Sequence, residues 1–439
     1  MKTKTTTRDK VHIVTLGCSK NLVDSEVLAA QLRYNDFEVQ HNIETSDANI
    51  IIVNTCGFID RAKAESVNTI LQYASLRASG EIDKLYVTGC LSERYKQDLE
   101  VEIPEVDAYF GTLEMPALLA KLNANYQQEL IGERMLSTPN HYAYLKISEG
   151  CNRTCSFCAI PLMRGKHVSR SIDDLVKEAK HLASLGIKEL MLIAQELTYY
   201  GLDLYKSRAL PELLTALCAV EGIEWIRLHY AYPSKFPVEI FDVMAAEPKI
   251  CNYLDLPLQH ANDAVLARMK RQITQSETRD LIKVARQKVP NIAIRTTFLV
   301  GFPDETEAEF YDLLQFVEAM EFERVGVFQY SHEEGTSAYG LVDNVSAETK
   351  EARAADVMKM QQTISLRKNE ERVGQTLKVL FDRKEGGYFI GRTEYDSPEV
   401  DNEVLVKATK NTYLRLGDFA NIRITSADDY DLYGEVVAG

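Results

Sequence analysis

The stretch that decides the fold is residues 146–161, KISEGCNRTCSFCAIP. It places Cys151, Cys155 and Cys158 within eight residues, with the spacing Cys-x3-Cys-x2-Cys. Iron–sulfur clusters are normally held by four cysteines, so three thiolates can bind three irons of a 4Fe–4S cluster and leave the fourth iron open. The sequence therefore predicts a cluster whose last coordination position is free for another ligand.

A structural zinc site is the alternative reading of this loop. Zinc in structural sites takes four Cys or His ligands, usually from paired motifs. No second cysteine pair lies nearby, and the only neighbouring histidine, His167, is nine positions beyond Cys158 in the basic run MRGKHVSR. The missing fourth ligand favours the iron–sulfur cluster.

The loop lies in a segment, about 140–345, in which strand and helix patterns alternate. Six runs are predicted as strands: YAYLKIS, ELMLIAQ, WIRLHYA, YLDLPLQ, IAIRTTFLV and RVGVFQY. Helical runs such as SIDDLVKEAKHLASLG lie between them. Six β/α units are too few for the closed eight-stranded barrel, so the pattern predicts an open (β/α)6 partial barrel of the TIM type.

The preceding segment, about 10–135, predicts a doubly wound α/β domain. Its strands VHIVTLG, ANIIIVNT and DKLYVTG lead at their carboxyl ends into Cys18, Cys56 and Cys90. Because the carboxyl ends of parallel strands line one crevice, these distant cysteines can converge. Three buried core thiols are the alternative. Their shared topological position favours ligands of a second, auxiliary 4Fe–4S cluster.

The pattern changes in the C-terminal part of the chain. Residues 346–371 predict a charged helix, and short alternating strands over 372–437 predict a small antiparallel β-barrel. We therefore predict three domains: 1–137 with the auxiliary site, 138–371 with the open barrel and its helix, and 372–439.

The three-cysteine loop, with Phe157 before its last cysteine, resembles the signature of the radical S-adenosylmethionine enzymes. In that family the amino and carboxylate groups of the cofactor's methionine part chelate the open iron. An electron from the cluster then cleaves the sulfonium and gives a 5′-deoxyadenosyl radical. The resemblance implies that S-adenosylmethionine is a cofactor and that Phe157 lies beside it.

The resemblance also implies cofactor contacts at the ends of barrel strands. Gln195 and Glu196 end the second predicted strand, where related enzymes hold the methionine amino group. Gly301 follows the fifth strand and resembles the motif that passes near the adenine. A helix cap or salt-bridge partner is the alternative for Glu196. Arg164 and Lys166 could hold a carboxylate, although a basic run is more often a solvated face.

The three predicted domains in this order resemble the methylthiotransferases, which have an N-terminal three-cysteine domain, a radical core and a C-terminal TRAM barrel. The runs LGCSKNLVDSE, YLDLPLQHA and LVGFPDETEAEF are similar to the branch that modifies the twelfth small-subunit ribosomal protein. The related tRNA enzymes tend to carry Gln and Met where this chain has Ser19 and Lys20.

This resemblance implies that a methylthio group is added to the β-carbon of one aspartate in that ribosomal protein. One S-adenosylmethionine would supply the methyl group and another the radical. The cluster on Cys18, Cys56 and Cys90 would carry or donate the sulfur, so both sites should lie close together. The reaction would also need an external electron donor and a sulfur source.

The formal net charge of −15 bears on the partner. An acidic protein repels phosphate backbones and attracts basic partners. Residues 372–437 carry nine Lys/Arg and twelve Asp/Glu, whereas a module that grips RNA would be basic. A basic ribosomal protein, rather than nucleic acid, is therefore the expected substrate. Two alternatives stay open: a tRNA adenosine methylthiotransferase of the same family, and a non-catalytic RNA-binding protein with structural metal sites.

The start of the chain and its apolar runs bear on the compartment. MKTKTTTRDK lacks the apolar core of a secretory signal. The longest apolar stretch, ANIIIVNTCGFI, is far short of the roughly 20 residues that cross a bilayer. Cysteines used as ligands rather than disulfides fit a reducing environment. We expect a cytoplasmic protein with no membrane partner.

Overall fold

The computed structural model of the protein describes residues 9–127, 130, 132–410 and 412–437. It contains an N-terminal α/β unit, an open β/α barrel and a small closed β-barrel. The prediction that the chain has no secretory signal rests on its first ten residues. The first eight of these lie outside the described residues. Within the described part of the chain, none of the helices combines the length and apolar character needed to cross a membrane.

The N-terminal unit is a parallel sheet with the strand order β2-β1-β3-β4-β5. Its elements are β1 (Lys10–Thr15), α1 (Ser19–Tyr34), β2 (Glu38–His41), β3 (Ile50–Thr55), α2 (Asp60–Ser79), β4 (Lys84–Gly89), α3 (Cys90–Glu102), β5 (Ala108–Tyr109) and α4 (Met115–Lys121). Helices α1 and α4 bury apolar side chains on one face, and α2 and α3 on the other. This arrangement confirms the doubly wound prediction.

The central unit is a six-stranded parallel sheet that stays open between its edge strands β13 and β6, and it confirms the (β/α)6 prediction. Its strands are β6 (Tyr142–Lys146), β9 (Glu189–Ile193), β10 (Trp225–Leu228), β11 (Ile250–Asp255), β12 (Ala293–Val300) and β13 (Arg324–Gln329), and β7 (Ser148–Glu149) pairs with β8 (Val168–Ser169) in a separate ribbon. Its helices are α5 (Ile160–Arg164), α6 (Ile172–Ser184), α7 (Leu210–Cys218), α8 (Glu239–Ala246), α9 (Asp263–Arg268), α10 (Gln275–Lys288), α11 (Glu307–Met320) and α12 (Ala347–Glu370), with short 3-10 turns at Leu197–Tyr199 and Ser337–Gly340.

Local sequence explains where several of these helices begin. Ser171 caps α6 by accepting a hydrogen bond from the backbone of Asp174, as its spacing predicts. Thr274 and Thr306 open α10 and α11 with complete capping boxes. Helix α12, predicted only as a charged connector, buries Val357 in the barrel's own core and is therefore part of that unit.

The C-terminal unit is a closed five-stranded barrel in the order β14-β15-β16-β18-β17. Its strands are β14 (Thr376–Glu385), β15 (Tyr388–Arg392), β16 (Val404–Lys407), β17 (Phe419–Ala427) and β18 (Leu432–Val436). Four of its five pairings are antiparallel, as predicted, but β16 and β18 are parallel. The sequence pattern could not show this pairing, because alternation of side chains is the same in both directions.

The loop between β15 and β16, residues 393–403, inserts into the amino-terminal end of the open barrel. The hydroxyl of Tyr253 in β11 donates to Asp401 at 2.8 Å. Arg324 at the start of β13 pairs with Asp396 at 2.5 Å. The small barrel is therefore anchored in the core, and the opposite, carboxyl end of the open barrel is left for the functional site.

A buried ion network joins the two barrels. The Glu189 carboxylate lies 2.8 Å from Arg227 and 2.8 Å from Arg392, and none of these side chains is more than 1% exposed. Burial raises the pKa of Glu189, but the two guanidinium groups lower it more, and the net shift is below the ordinary value. Removing the small barrel would leave Glu189 and Arg227 without Arg392, so a chain cut before residue 372 is not expected to fold.

We expect Glu189→Gln to lower the free energy of unfolding by about 3 kcal/mol, since it leaves the buried Arg227 without a carboxylate partner, while Arg392 keeps Asp382. Because the pKa of Glu189 is depressed on folding, its contribution should be complete above its ordinary value of 4.5 and be lost as the pH falls below it. Urea unfolding at several pH values measures both effects. Glu224→Gln, which breaks the exposed pair with Lys378, is the control and should cost at most about 1 kcal/mol.

Candidate active site

The loop of Cys151, Cys155 and Cys158 joins β7 to α5 at the carboxyl end of the open barrel. The N–H of Cys151 donates to the carbonyl of Gly165 at 3.1 Å, and that of Cys158 donates to the carbonyl of Cys155 at 3.1 Å. These bonds fold the loop back on itself. The three thiols therefore lie on one short turn above the barrel strands.

The environment of these thiols suits ligands of a charged inorganic group. The N–H of Arg153 points at the sulfur of Cys151, 3.4 Å away, and the N–H of Ile160 donates to Cys158. Burial raises the pKa of Cys151 to about 11 and that of Cys158 to about 12. Such thiols stay protonated at neutral pH unless a metal supplies positive charge, and hydrogen bonds to sulfur are a feature of iron–sulfur sites.

Cys18, Cys56 and Cys90 lie at the carboxyl ends of the neighbouring strands β1, β3 and β4. A Cβ at Gly17, whose φ is +91°, would lie 2.7 Å from the Cβ of Cys56, so only glycine lets the two segments approach this closely. Burial raises the pKa of Cys90 to about 12 and also raises that of Cys56. The structure thus brings the three cysteines to one edge of the sheet.

Asn21 in the first turn of α1 links these strand ends. Its amide nitrogen donates to the carbonyls of Leu16 at 2.8 Å and Thr55 at 3.0 Å. Its amide oxygen lies 3.8 Å from the sulfur of Cys90. One side chain therefore fixes the relative positions of the segments that carry Cys18, Cys56 and Cys90.

The two cysteine groups face each other across the domain boundary. Cys90 packs in one apolar cluster with Ala159 and Met163, and Ala159 directly follows Cys158. Arg164 lies at the end of α5, the helix that contains Met163. Burial raises the pKa of Cys90, and the positive charge of Arg164 lowers it by a smaller amount. The carboxyl ends of the N-terminal sheet thus meet the open mouth of the barrel, as a reaction that uses both sites requires.

The cysteine groups lack the geometry of a zinc site. Over the described ranges, no group of three or more His, Cys, Asp or Glu side chains is arranged to hold a metal ion. Zinc needs four ligands that converge on one point, whereas each cysteine of a 4Fe–4S cluster binds a different iron. The ring of His167, the one nearby candidate for a fourth zinc ligand, lies instead 3.1 Å from the hydroxyl of Ser169.

Gln195 and Glu196 lie at the barrel mouth in different settings. The amide nitrogen of Gln195 donates to Glu149 at 3.1 Å, while its buried oxygen has no partner among the described residues. The carboxylate of Glu196 caps the following turn at Thr198 and pairs with Arg153 of the cysteine loop at 3.0 Å. These partners are the ones expected of a helix cap and salt-bridge residue, and a contact of Glu196 with the cofactor stays a prediction.

Phe157 and Gly301 lie on the same side of the mouth. Phe157 packs against a small apolar cluster that includes Phe302. Gly301 has a φ of +74°, and a Cβ there would lie 2.2 Å from the side chain of Lys350. Within this structure, the glycine is therefore required by the approach of Lys350 from α12.

Arg164 and Lys166 differ, although both belong to the same basic run. Lys166 is exposed, as a solvated face predicts. Only 2% of the Arg164 side chain is exposed, and it binds Asp24 at 2.5 Å and also Asn21, so the solvated-face prediction is wrong for it. Asp24 and Asn21 belong to α1, which is far from Arg164 in the sequence. No local pattern around Arg164 could therefore indicate that its side chain is buried.

Sequence analysis missed two residues that contact the cysteine loop. Arg271 donates to the sulfur of Cys155 at 3.5 Å, and the hydroxyl of Tyr232 lies 3.7 Å from the same sulfur. The Arg271 guanidinium also stacks 4.2 Å from the Tyr232 ring. Tyr232 lies in the aromatic run HYAYP, a pattern that a core position shares, and an arginine far along the chain carries no motif that could have revealed this contact.

A three-cysteine loop at the carboxyl end of an open six-stranded parallel barrel defines the radical S-adenosylmethionine class. Three family models match the chain: the Radical SAM superfamily over residues 145–317, Uncharacterized protein family UPF0004 over 10–111, and the TRAM domain over 373–437. The fold is shared with the radical S-adenosylmethionine methyltransferase TsrM of Kitasatospora setae, at a TM-score of 0.54 and 14% identity over 74% of this chain and 75% of that one. The cobalamin-dependent radical enzyme OxsB gives a TM-score of 0.53 at 13% identity, over 81% of this chain and 58% of that one.

Curated relatives match along the whole chain. The ribosomal protein uS12 methylthiotransferase RimO of Flavobacterium psychrophilum is 60% identical over 99% of this chain and 100% of its own length. The protein of the same name from Cytophaga hutchinsonii is 58% identical over 100% of both chains. The one from Bacteroides thetaiotaomicron is 49% identical over 98% of this chain and 99% of its own length.

The chain therefore belongs to the family of the ribosomal protein uS12 methylthiotransferases. Membership makes it a transferase of the radical S-adenosylmethionine class and implies a 4Fe–4S cluster and S-adenosylmethionine as cofactors. It sets aside the alternative of a non-catalytic RNA-binding protein.

Proposed function

We propose that this protein adds a methylthio group to the β-carbon of one aspartate of ribosomal protein uS12. The observation that carries the proposal is the meeting of two three-cysteine groups, with Cys90 packed against the residue that follows Cys158. One group alone would serve radical generation. A second group beside it supplies the place where sulfur can be held within reach of the same substrate atom.

We propose that Cys151, Cys155 and Cys158 hold the radical cluster and that Cys18, Cys56 and Cys90 hold the auxiliary one. When bound, these clusters and S-adenosylmethionine would supply the radical, the sulfur and the methyl group. The chain itself contributes position, charge and exclusion of water.

The domain junction carries these contributions of the chain. Asp24 of the N-terminal unit binds Lys146 and Arg164 of the barrel, and both basic residues also bind Glu149. These side chains are all at most 20% exposed, so water has little access to the junction. They hold the two cysteine groups in a fixed relation without needing to touch the reacting atoms.

Each proposed cofactor contact is supported by the local setting of one side chain. The buried, unpartnered oxygen of Gln195 is an acceptor suited to the amino group of S-adenosylmethionine. Phe157 lies within the cysteine loop, where a side chain that contacts the cofactor is expected. In this proposal Glu196 acts indirectly, by holding Arg153 of the cysteine loop. Gly301 acts by shaping the loop that follows β12.

Other expectations stay predictions. The reaction needs an external electron donor and a source of sulfur, and we expect it to take place in the cytoplasm. The domain boundaries at 137/138 and 371/372 likewise remain predictions, now with the added expectation that the core does not fold without the last domain.

The substrate assignment is tested by offering both family substrates to the reconstituted enzyme. We expect anaerobic enzyme with S-adenosylmethionine, dithionite as the electron donor and sulfide as the sulfur source to methylthiolate uS12 and to leave tRNA unmodified. Because the protein carries a net charge of −15 and uS12 is expected to be basic, association should also weaken as salt rises. Mass spectrometry of both substrates gives the answer, and modified tRNA with unmodified uS12 would favour the tRNA enzyme instead.

A further inference from the structure

Lys20 is a mostly buried lysine for which no anionic partner is found among the described residues. The residue is 6% exposed, and its ammonium nitrogen lies 3.0 Å from the ring centroid of Tyr230. Within the described residues this cation–π contact is the interaction found for it. Lysine is almost never buried this far unless it is paired, because the charge loses its hydration. The ring offsets only part of that cost.

The position of Lys20 on its helix adds to the preference for an anion. It is the second residue of α1, which has no side-chain cap and no acidic residue in its first turn. A helix amino terminus carries partial positive charge, so a cation is unfavourable there. Uncapped backbone N–H groups and a buried ammonium at the same place together form a binding site for a negative group.

The acidic side chains around this place are already paired. Asp24, one turn further along α1, binds Lys146 and Arg164. Asp255, at the end of β11, binds Arg295 and accepts the N–H of Tyr230. Neither carboxylate is free for Lys20, so an anion that pairs with it would be a bound group, either the proposed auxiliary cluster or part of the substrate.

Tyr230 is held in an unusual conformation at this site. Its φ of +62° lies in the left-handed region, which is unfavourable for a bulky residue. It lies two residues beyond the carboxyl end of β10, at the mouth of the barrel. The strained backbone presents the ring beneath Lys20, and Lys20 itself follows Cys18 by two positions.

We propose that Lys20 and the start of α1 bind the side-chain carboxylate of the substrate aspartate. The inference rests on the proposed function and names how that substrate is recognised. The carboxylate is bonded to the β-carbon, so a cation that holds it fixes the reacting carbon beside the auxiliary cysteines. A positive charge at this place also selects an acidic side chain over a neutral amide.

The test compares two enzymes with two substrates. Wild-type protein and Lys20→Met, which keeps the length of the side chain without its charge, are titrated anaerobically with uS12 and with uS12 whose target aspartate is replaced by asparagine. We expect Lys20→Met to bind the aspartate form about 10- to 100-fold more weakly, the range for a hydrogen bond between charged groups. Binding of the asparagine form should be the same for both enzymes, and Lys20→Arg should recover part of the affinity.

Four other results would overturn the inference. Equal weakening for both forms of uS12 would mean that the variant is disturbed in general. A weaker affinity for S-adenosylmethionine with unchanged uS12 binding would place the ammonium on the cofactor's carboxylate. A lower iron content or a changed potential of the auxiliary cluster, without aspartate selectivity, would make Lys20 a counter-charge for that cluster. Wild-type protein that leaves uS12 unmodified would overturn the proposed function itself, and this inference with it.

Discussion

Replacing any one of Cys151, Cys155 and Cys158 with alanine is expected to abolish reductive cleavage of S-adenosylmethionine. The loop supplies only three thiolates, and the cofactor is expected to take the remaining iron position, so no spare ligand can replace a lost one. The expected loss is complete rather than graded, because cleavage needs the electron that the cluster delivers.

The measurement is 5′-deoxyadenosine formed by each reconstituted variant under anaerobic conditions with dithionite. Cys218→Ala is the matched control, since Cys218 is also buried but lies in α7, outside both cysteine groups. It should retain cleavage. Continued formation of 5′-deoxyadenosine by any of the three loop variants would count against the assignment of this loop.

The second large effect concerns the auxiliary group. Replacing Cys18, Cys56 and Cys90 together with alanine should leave cleavage of S-adenosylmethionine in place and remove the methylthiolated product. The reason is that radical generation depends on the barrel loop, whereas sulfur transfer depends on the strand ends of the N-terminal sheet. Cleavage by the triple variant also serves as its folding control.

The product of the triple variant is analysed by mass spectrometry of uS12 peptides. The expected peptide carries no methylthio group, while 5′-deoxyadenosine is still released. Methylthiolated uS12 from a triple variant that lacks these thiols would refute an essential role for the auxiliary cluster in handling sulfur. Loss of both activities would instead show that the barrel site depends on the auxiliary one.

Much of the fold follows from local pattern, which explains what the sequence could predict. Continuous apolar runs identify buried parallel strands, and the rule that their carboxyl ends share one edge predicts that Cys18, Cys56 and Cys90 converge. Strands β2 and β5 were missed because they have only four and two residues. Such short edge strands are defined by the neighbour they pair with rather than by their own composition.

The site shows the same division between local and tertiary information. The cysteine loop carries its spacing within eight residues and is visible in the sequence. The burial of Arg164, the contact of Arg271 with Cys155 and the unpaired charge of Lys20 each depend on elements from distant parts of the chain. No periodicity near these residues could predict such partners.

The insertion of the β15–β16 loop into the open barrel was also beyond prediction, and it changes how the last domain is understood. Charge alone favoured a docking module for a basic protein. The pairs of Arg324 with Asp396 and of Arg295 with Asp401 show that the module also closes the amino-terminal end of the core. Its contribution to substrate binding is therefore best tested with surface substitutions rather than by deletion.

The most direct test of the central claim, that the chain holds two clusters on two three-cysteine groups, is anaerobic analysis of iron and acid-labile sulfide. The account predicts about eight irons per chain in the reconstituted protein, and about four in the Cys18/Cys56/Cys90 triple variant. Zinc in place of iron, or about four irons in wild-type protein that do not fall further in the triple variant, would contradict it.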